Sequence, residues 1–296
     1  MRNDKFLRSV FLFVFITTFL TAYSASASAA RGWGSNRGWQ GSSTGGSTGS
    51  STGGSTGAQA GIWRPAPRTT WNWQLTGNIN TSVKATMYDI DLFDAPQDVI
   101  NTLHAQGKIV ICYMEVGGWE NWRPDANQFP ASVKGRSNGW PGEKWIDIRQ
   151  IDKIGPIMQA RMDLAVSKHC DGIEPDLDDG YSNNTGFPLT YQDQINYNRW
   201  LAAEAHARNL SIGLKNDPEQ ASDLAGDFDW ALDEECHQYS ECNLLLPFIS
   251  AGKAVFNAEY TGDPARFCPQ SNNDGFSTLK LPLALDGSFR VDCLTQ

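Results

Sequence analysis

The sequence predicts an α/β protein, a TIM-like (β/α)8 barrel in which parallel strands alternate with helices. Apolar segments of strand length recur over residues 62–296 and are separated by segments of helical periodicity, a pattern typical of a parallel sheet covered by helices. About eight strands in a domain of this length suggest closure into a barrel. An open doubly wound sheet is the alternative fold, but no glycine-rich nucleotide-binding loop follows the first strand.

The N-terminal segment differs in character from this domain. Residues 1–30 combine basic side chains, an apolar run over residues 10–23 and the small-residue stretch SASASAA, which is the order of a secretory signal peptide. The apolar run is shorter than the about 20 residues that a membrane-spanning helix needs. Residues 31–61 are rich in Gly, Ser and Thr, contain SSTGGSTG twice and predict a flexible linker. We therefore expect a secreted, extracellular protein without a membrane span.

Strand and helix boundaries follow from periodicity. Strands are predicted, in chain order, over Trp71–Gly77, Met87–Asp91, Lys108–Gly118, Trp145–Arg149, a segment from Asp171, Leu210–Asp217, Phe228–Cys236, Lys253–Tyr260 and Leu281–Asp286. Helices are predicted over Pro96–Gln106, Ile154–Ser167, Thr190–Arg208 and Leu244–Ala251. Gly107 is the expected C-terminal cap of the first helix, and Thr190 the expected N-cap of the third.

Six cysteines lie within residues 62–296, and an even number in a secreted chain implies disulfides. Fifteen pairings are formally possible for six cysteines. We favour the two sequence-local pairs together with the pair that then remains: Cys236–Cys242, Cys268–Cys293 and Cys112–Cys170. No metal site is expected, because the sequence has no paired CxxC motif and its four histidines are scattered.

The charge of the predicted barrel is strongly negative. The chain has 24 basic and 33 acidic side chains, and residues 1–61 hold five of the basic and one of the acidic ones. Residues 62–296 therefore have 19 basic and 32 acidic side chains, a net charge of −13. A field of this sign repels nucleic acid and suits a cationic or neutral partner. Simple solubility of an extracellular protein explains the charge equally well. We expect neither a nucleic-acid nor a membrane partner, and a monomer.

Carboxylates recur where the predicted strands end, the edge at which barrel active sites form. Glycoside hydrolysis needs two carboxyl groups, one to protonate the leaving oxygen and one to attack or to activate water. The segments IEPD and LDEEC are the strongest candidates, because strand alternation turns Glu174 and Asp176 to one side and separates Glu234 from its acidic neighbours. A structural cluster of ion pairs is the alternative interpretation.

Aromatic side chains support a carbohydrate ligand. Nine of the 11 tryptophans lie within residues 62–296, and flat indole faces stack on sugar rings. Several fall at predicted strand ends or in loops: Trp73, Trp119, Trp122 and Trp140. Trp200 and Trp230 are better explained as core residues. The sequence has no HExxH motif, and none of its GxSxG matches joins a predicted strand to a helix, as the nucleophile elbow of other hydrolases does.

Several longer motifs occur in order along the chain: WNWQLTG, MYDIDLFD, VICYMEVGGWENWRPD, GIEPDLDDGYSNNTGFPLT, IGLKND and DEEC-x5-C. Together they resemble the endo-α-1,4-polygalactosaminidase family, glycoside hydrolase family 114, from about Trp63 to Cys293. The resemblance implies a (β/α)8 barrel and endo-cleavage of α-1,4-linked, galactosamine-containing polysaccharide. It also implies a cationic substrate, which agrees with the acidic barrel, and chemistry that requires no cofactor.

The resemblance also implies site residues. It makes Asp176 the nucleophile and Glu234 the general acid/base of a retaining mechanism, with Glu235 as an alternative to Glu234. Candidate substrate contacts are Trp73, Asp91, Glu115, Trp119, Tyr181, Lys215, Asn216 and Tyr260. Among them, Asp91 and Glu115 would bind an ammonium group, and Lys215 would tune the acid. Two other functions stay open: a glycosidase of the same fold on another amino-sugar polymer, and a non-catalytic glycan-binding barrel.

Overall fold

The computed structural model describes residues 61–296. The predicted signal peptide, residues 1–30, and all but the last residue of the predicted linker, residues 31–61, lie outside the described residues. Within residues 61–296, no helix is long and apolar enough to cross a membrane.

The described chain alternates strands and helices. The strands are β1 (Trp71–Trp73), β2 (Met87–Asp91), β3 (Ile109–Glu115), β4 (Gly118–Glu120), β5 (Glu143–Trp145), β6 (Gly172–Asp176), β7 (Ser211–Lys215), β8 (Trp230–Glu234), β9 (Val255–Glu259), β10 (Ser277–Lys280) and β11 (Val291–Asp292). The α-helices are α1 (Gln97–Ala105), α2 (Ile151–Ser167), α3 (Tyr191–Ala207), α4 (Ala221–Leu224), α5 (Cys236–Tyr239), α6 (Leu246–Ser250) and α7 (Pro264–Asp274).

Eight strands form the curled parallel sheet of a TIM-like barrel, in the order β1-β2-β3-β6-β7-β8-β9-β10, and β11 adds an antiparallel edge to β10. Within the described sheet, β1 and β10 share no backbone ladder. Side chains span this seam instead: the indole N–H of Trp71 donates to the Ser277 carbonyl at 2.7 Å, and Arg290 donates to the Trp71 carbonyl at 2.8 Å. The predicted fold class is confirmed.

The two faces of the sheet build separate apolar cores. Side chains such as Ile90, Val110 and Ile173 face outward and pack against the helices. Inside the barrel, large apolar side chains pack together: Trp71, Met87, Ile111, Trp230, Phe256 and Leu279. Since side chains alternate along a strand, the next inward positions toward the C-terminal end lie two residues further on. Several inward positions nearer the C-terminal strand ends are polar, among them Asp89, Tyr113 and Glu234, and they form the functional site described below.

Two predicted strands are wrong. The segment Trp145–Arg149 is not a barrel strand: β5 ends at Trp145 and pairs antiparallel with β4, in a small hairpin inserted after β3. Its apolar alternation reflects packing of this insertion against the barrel, since Ile146 and Ile148 are buried. The segment Leu281–Asp286 follows β10 as a loop, in which Leu285 has a positive φ and its carbonyl accepts from Leu75 and Thr76.

The helix predictions are confirmed in type, with differences at the ends. Helix α2 begins at Ile151 rather than Ile154, and the region 244–251 contains a 3-10 turn followed by the short helix α6. Helix α7 was not predicted, because two prolines and few apolar residues obscure its periodicity. Gly107 follows the end of α1 with φ of +70°, as a C-terminal cap requires.

All three predicted disulfides are confirmed: Cys112–Cys170, Cys236–Cys242 and Cys268–Cys293. The first joins β3 to the segment before β6, and the second closes the turn after β8. The third joins α7 to the C-terminal segment. Because the Cys236–Cys242 bridge begins two residues after Glu234, it fixes the chain directly beside a candidate catalytic residue.

The N-terminus of α3 carries the predicted cap. The Thr190 hydroxyl accepts from the Asp193 amide, and the Asp193 carboxylate accepts from the Thr190 amide at 2.8 Å, which is a complete capping box. We predict that Thr190→Ala lowers the free energy of unfolding by about 1 kcal/mol, because it leaves an orphan N–H in the first turn. Urea denaturation measures the change. Thr190→Ser is the matched control and should stay near the parent; equal losses in both variants would contradict the capping role.

Candidate active site

One buried ammonium group organises the C-terminal end of the barrel. Lys215 ends β7 and is 1% exposed. Its Nζ lies 2.9 Å from Glu174 Oε1, 2.9 Å from Asp176 Oδ1 and 3.3 Å from Glu234 Oε2. Burial alone would lower the pKa of Lys215, but these three carboxylates raise it well above its usual value. Lys215 is therefore a permanent cation that gathers the predicted catalytic pair, Asp176 and Glu234.

Hydrogen bonds from neighbouring side chains also fix both candidate carboxylates. The Tyr113 hydroxyl donates to Asp176 Oδ2 at 2.9 Å. The Asn216 amide donates to Glu234 Oε2 at 2.7 Å, and the Tyr260 hydroxyl donates to Glu234 Oε1. Burial and the nearby acid groups raise the pKa of both tyrosines well above its usual value, so each keeps its proton to donate.

Beneath the pair lies a second, wholly buried layer. Glu174 is 0% exposed, and its Oε2 accepts from the Trp73 indole N–H at 2.9 Å. The Lys215 ammonium lies 4.9 Å from the centre of the Trp73 ring. Trp73, predicted to bind substrate, is only 2% exposed, although it borders the cleft, so the structure places it mainly as a support for Glu174 and Lys215.

The three strands that carry this site turn sharply where they end. Leu177, Asn216 and Glu235 directly follow the last residues of β6, β7 and β8, and their φ values are +64°, +51° and +64°. Left-handed backbone at residues other than glycine costs of order 1–3 kcal/mol each and clusters at functional sites. The strained turns aim Asp176, Lys215 and Glu234 at one point, because each strand leaves the barrel just beyond the side chain.

The left-handed turn at Leu177 needs room beside it. Gly117, which follows β3, lies so close that a Cβ there would overlap the Leu177 carbonyl oxygen. The Gly117 amide also donates to the Asp176 carbonyl at 3.2 Å. The absence of a side chain at position 117 therefore allows β3 and β6 to approach each other next to Asp176.

An open cleft of about 610 Å³ lies above the pair, and one of its walls is acidic. The hairpin after β3 contributes Glu120 and Glu143, which face Glu115 at the end of β3. Burial, followed by the charges of Glu143 and Glu120, raises the pKa of Glu115 well above its usual value. Burial raises the pKa of Glu120 to about 7, and it also raises the pKa of Glu143. Arg123 contacts one of these acids, Glu120, at 2.7 Å, so the acidic wall has more carboxyl groups than cations.

The predicted ammonium ligands differ in their surroundings. Glu115 belongs to the acidic wall, and its buried Oε2 accepts no hydrogen bond within the described part of the chain. Asp91 also borders the cleft, but both its oxygens accept from Arg123, at 3.0 and 2.6 Å, and Oδ1 also accepts two backbone amides. Within residues 61–296 Glu115 has the Glu143 carboxyl group as its partner and no cation, whereas Asp91 is already compensated by Arg123.

Two exposed indoles stand at the cleft. Trp122 is 52% exposed and Trp140 is 41% exposed, and both border it on the side of the inserted hairpin. Trp119, predicted to bind substrate, is placed elsewhere: its N–H donates to the Ala126 carbonyl, and the Lys134 ammonium lies 4.0 Å from its ring centre. Alternation along β4 turns Trp119 away from the cleft, which local sequence could not reveal before the hairpin was known.

Two other predicted site residues, Tyr181 and Glu235, do not contact Lys215 or Asp176. Tyr181 does not border the cleft; its hydroxyl donates to Glu219 at 3.2 Å and its ring packs edge-on against Tyr191. Glu235 borders the cleft, but its carboxylate is held by Tyr239 and Thr261. Glu234 rather than Glu235 therefore faces Lys215 and Asp176.

A pair of carboxylates at the open end of a barrel can protonate a glycosidic oxygen and attack the anomeric carbon, which is the chemistry of glycoside hydrolases. The fold and the site thus define this class of enzyme. Comparison with known families is more specific: residues 53–294 match glycoside hydrolase family GH114, and the chain belongs to this family. Comparison with curated proteins gives no match.

Solved structures agree with this assignment. Aspergillus fumigatus Ega3, solved in complex with galactosamine, is 36% identical, with a TM-score of 0.74 over 80% of this chain and 100% of that chain. The glycoside hydrolase domain of PelA from Pseudomonas aeruginosa is 13% identical, with a TM-score of 0.59 over 75% of this chain and 97% of that chain. The second similarity shows the fold alone.

We predict that Gly117→Ala lowers kcat at least 100-fold, because the added methyl group displaces the Leu177 turn and with it Asp176. Steady-state kinetics on the substrate proposed below, with circular dichroism to verify folding, measures the effect. Gly226→Ala is the matched control, since a Cβ there meets nothing within 4 Å. Equal activity of the two variants would show that the close approach of β3 and β6 is dispensable.

Proposed function

We propose that this protein is a secreted, endo-acting glycoside hydrolase that cleaves α-1,4-linked, galactosamine-containing polysaccharide. The observation that carries the proposal is the convergence of Asp176 and Glu234 on the Lys215 ammonium at the floor of an open cleft. An open cleft admits a chain from the side, as endo-cleavage requires. Ega3, which is 36% identical and covered over its whole length, was solved with galactosamine.

The acidic wall supports a cationic sugar. Glu115, Glu120 and Glu143 crowd together, and burial raises the pKa of each. A sugar ammonium group placed against them offsets their mutual repulsion, so that they can be ionised together. An N-acetyl group at the same position supplies no charge, and we therefore propose that the preferred substrate carries free amino groups. Trp122 and Trp140 offer stacking faces for neighbouring sugar rings.

We assign Asp176 as nucleophile and Glu234 as general acid/base. Since one nitrogen contacts both, Asp176 Oδ1 and Glu234 Oε2 are at most about 6.2 Å apart, below the separation of about 6.5–9.5 Å that inverting enzymes need for a water molecule. Asp176 then forms a covalent glycosyl–enzyme bond while Glu234 protonates the leaving oxygen. In the second half of the reaction Glu234 deprotonates the water that breaks this bond, and the configuration is retained.

The roles of the surrounding residues follow from their contacts. Lys215 stabilises the Asp176 nucleophile as an anion, and it stabilises the Glu234 carboxylate that is left once Glu234 has given its proton to the leaving oxygen. Asn216 and Tyr260 orient Glu234, and Tyr113 orients Asp176. This chemistry involves only the protein's own side chains and water, so we propose that the enzyme works without a cofactor. We also propose that it acts as a monomer. The three disulfides agree with an extracellular location.

The first test measures oligosaccharide release from purified α-1,4-galactosamine polymer, with its N-acetylated form and chitosan beside it. We expect cleavage of the free-amine galactosamine polymer, and a loss of at least 1,000-fold in Asp176→Asn and Glu234→Gln. Glu235→Gln is the matched control and should keep activity within a few-fold of the parent. Cleavage of chitosan alone would overturn the substrate assignment, and binding without cleavage would indicate a glycan-binding barrel.

The second test determines the stereochemistry. Proton NMR of the first product formed should show the α-anomer before mutarotation, because a covalent intermediate inverts the configuration twice. An initial β-anomer would contradict the nucleophilic role of Asp176 while leaving the pair of carboxylates in place.

A further inference from the structure

A buried acid lies below the catalytic layer and takes no part in the proposed reaction. Asp89, in β2, is 0% exposed. Among residues 61–296, no N–H or hydroxyl group donates to either of its carboxyl oxygens. Its hydrogen-bonding partner is another acid, the Glu174 carboxyl group. An ionised carboxylate in such surroundings would be desolvated without any donor to compensate it.

Two carboxyl groups can share a hydrogen bond only if one of them holds a proton. Burial raises the pKa of Glu174 to about 7, but Glu174 has partners of its own, the Trp73 indole N–H at 2.9 Å and the Lys215 ammonium at 2.9 Å, and these favour its ionised form. Asp89 has none, so the proton belongs to Asp89. The electrostatics agree, since burial and then the Glu174 charge raise the pKa of Asp89 well above its usual value.

We propose that Asp89 and Glu174 are positioning residues: the neutral Asp89 carboxyl group donates a hydrogen bond to Glu174, and this acid pair holds the Lys215 ammonium between Asp176 and Glu234. The proposal rests on the proposed function for the consequence in turnover. The protonation of Asp89 itself follows from the geometry and can be tested without substrate.

The proton on Asp89 limits the charge of the site. With Asp89 neutral, the Lys215 ammonium is contacted by three acid side chains; an ionised Asp89 would add a further negative charge beneath them. The groups that face the acid pair are Lys215, Asp176, Tyr113 and Tyr260, and Lys215 is their one cation. A further anion would compete for Lys215 and draw it down from the catalytic pair. Removing the Glu174 charge has the opposite effect and releases Lys215 upward.

Infrared difference spectroscopy tests the proton directly. The parent protein at pH 7 should show the carbonyl stretch of a protonated carboxylic acid, and Asp89→Asn should lose it. Glu174→Gln should retain that band at a shifted frequency, because the hydrogen-bond partner of Asp89 changes. Parent and Asp89→Asn spectra that do not differ in this region would overturn the proposal whatever the substrate proves to be.

Kinetics on the galactosamine polymer tests positioning. Asp89→Leu, which removes the donor, should lower kcat at least 30-fold with KM changed less than threefold, and Asp89→Asn, which keeps a neutral donor, should restore most of that loss. If Asp89→Leu does not fold, Glu174→Gln provides the test. It should lower kcat about 100-fold and shift the alkaline limb of the pH profile of kcat to lower pH, since loss of a nearby anion makes the general acid stronger. An unchanged pH profile and kcat in Glu174→Gln would mean that the pair is merely structural.

Discussion

The buried Lys215 ammonium is the constraint on which the rest of the site depends. A cation with 1% exposure is stable in a protein interior only if anions surround it, and here Glu174, Asp176 and Glu234 provide them. These anions come from β6 and β8, which flank β7 in the sheet. The order of strands in the barrel therefore places these anions on both sides of the Lys215 ammonium.

Backbone and side chains meet this constraint together. Alternation turns every second strand residue into the barrel. Inside it, an apolar layer filled by residues such as Trp230 and Phe256 lies below the polar layer. The strands β6, β7 and β8 then leave the barrel through left-handed residues, so that the polar layer is the last one on these three strands. The energy stored in these turns is offset by the large, well-packed apolar layer below them, which keeps the strand ends from relaxing.

Much of this arrangement could be predicted from local sequence. Continuous apolar segments such as Ile109–Glu115 identified most strands, and the motifs IEPD and LDEEC identified the carboxylates. The interior pairing of Asp89 with Glu174 could not be predicted, because β3 separates their strands and their contact crosses the barrel. The inserted hairpin was likewise mistaken for a barrel strand, since its alternation has the same period whichever sheet it joins.

In general, the sequence could not predict contacts between residues that are far apart in the chain. The bidentate pair of Asp91 with Arg123 links β2 to the loop after β4, and nothing near either residue indicates the other. The same limit explains why Trp119 was preferred to the two exposed indoles of the same insertion. Cysteine pairing was the exception, because the small number of residues and their spacing left few plausible combinations.

The side-chain seam between β1 and β10 has a consequence for biosynthesis. β1 is the first strand of the barrel, whereas Arg290, which bonds to the Trp71 carbonyl, follows β10, the last parallel strand. A growing chain therefore keeps one edge of its sheet open until the segment after β10 has been synthesised. Cys293 belongs to the same segment as Arg290, and its bridge to Cys268 fastens the contacts that close the sheet edge.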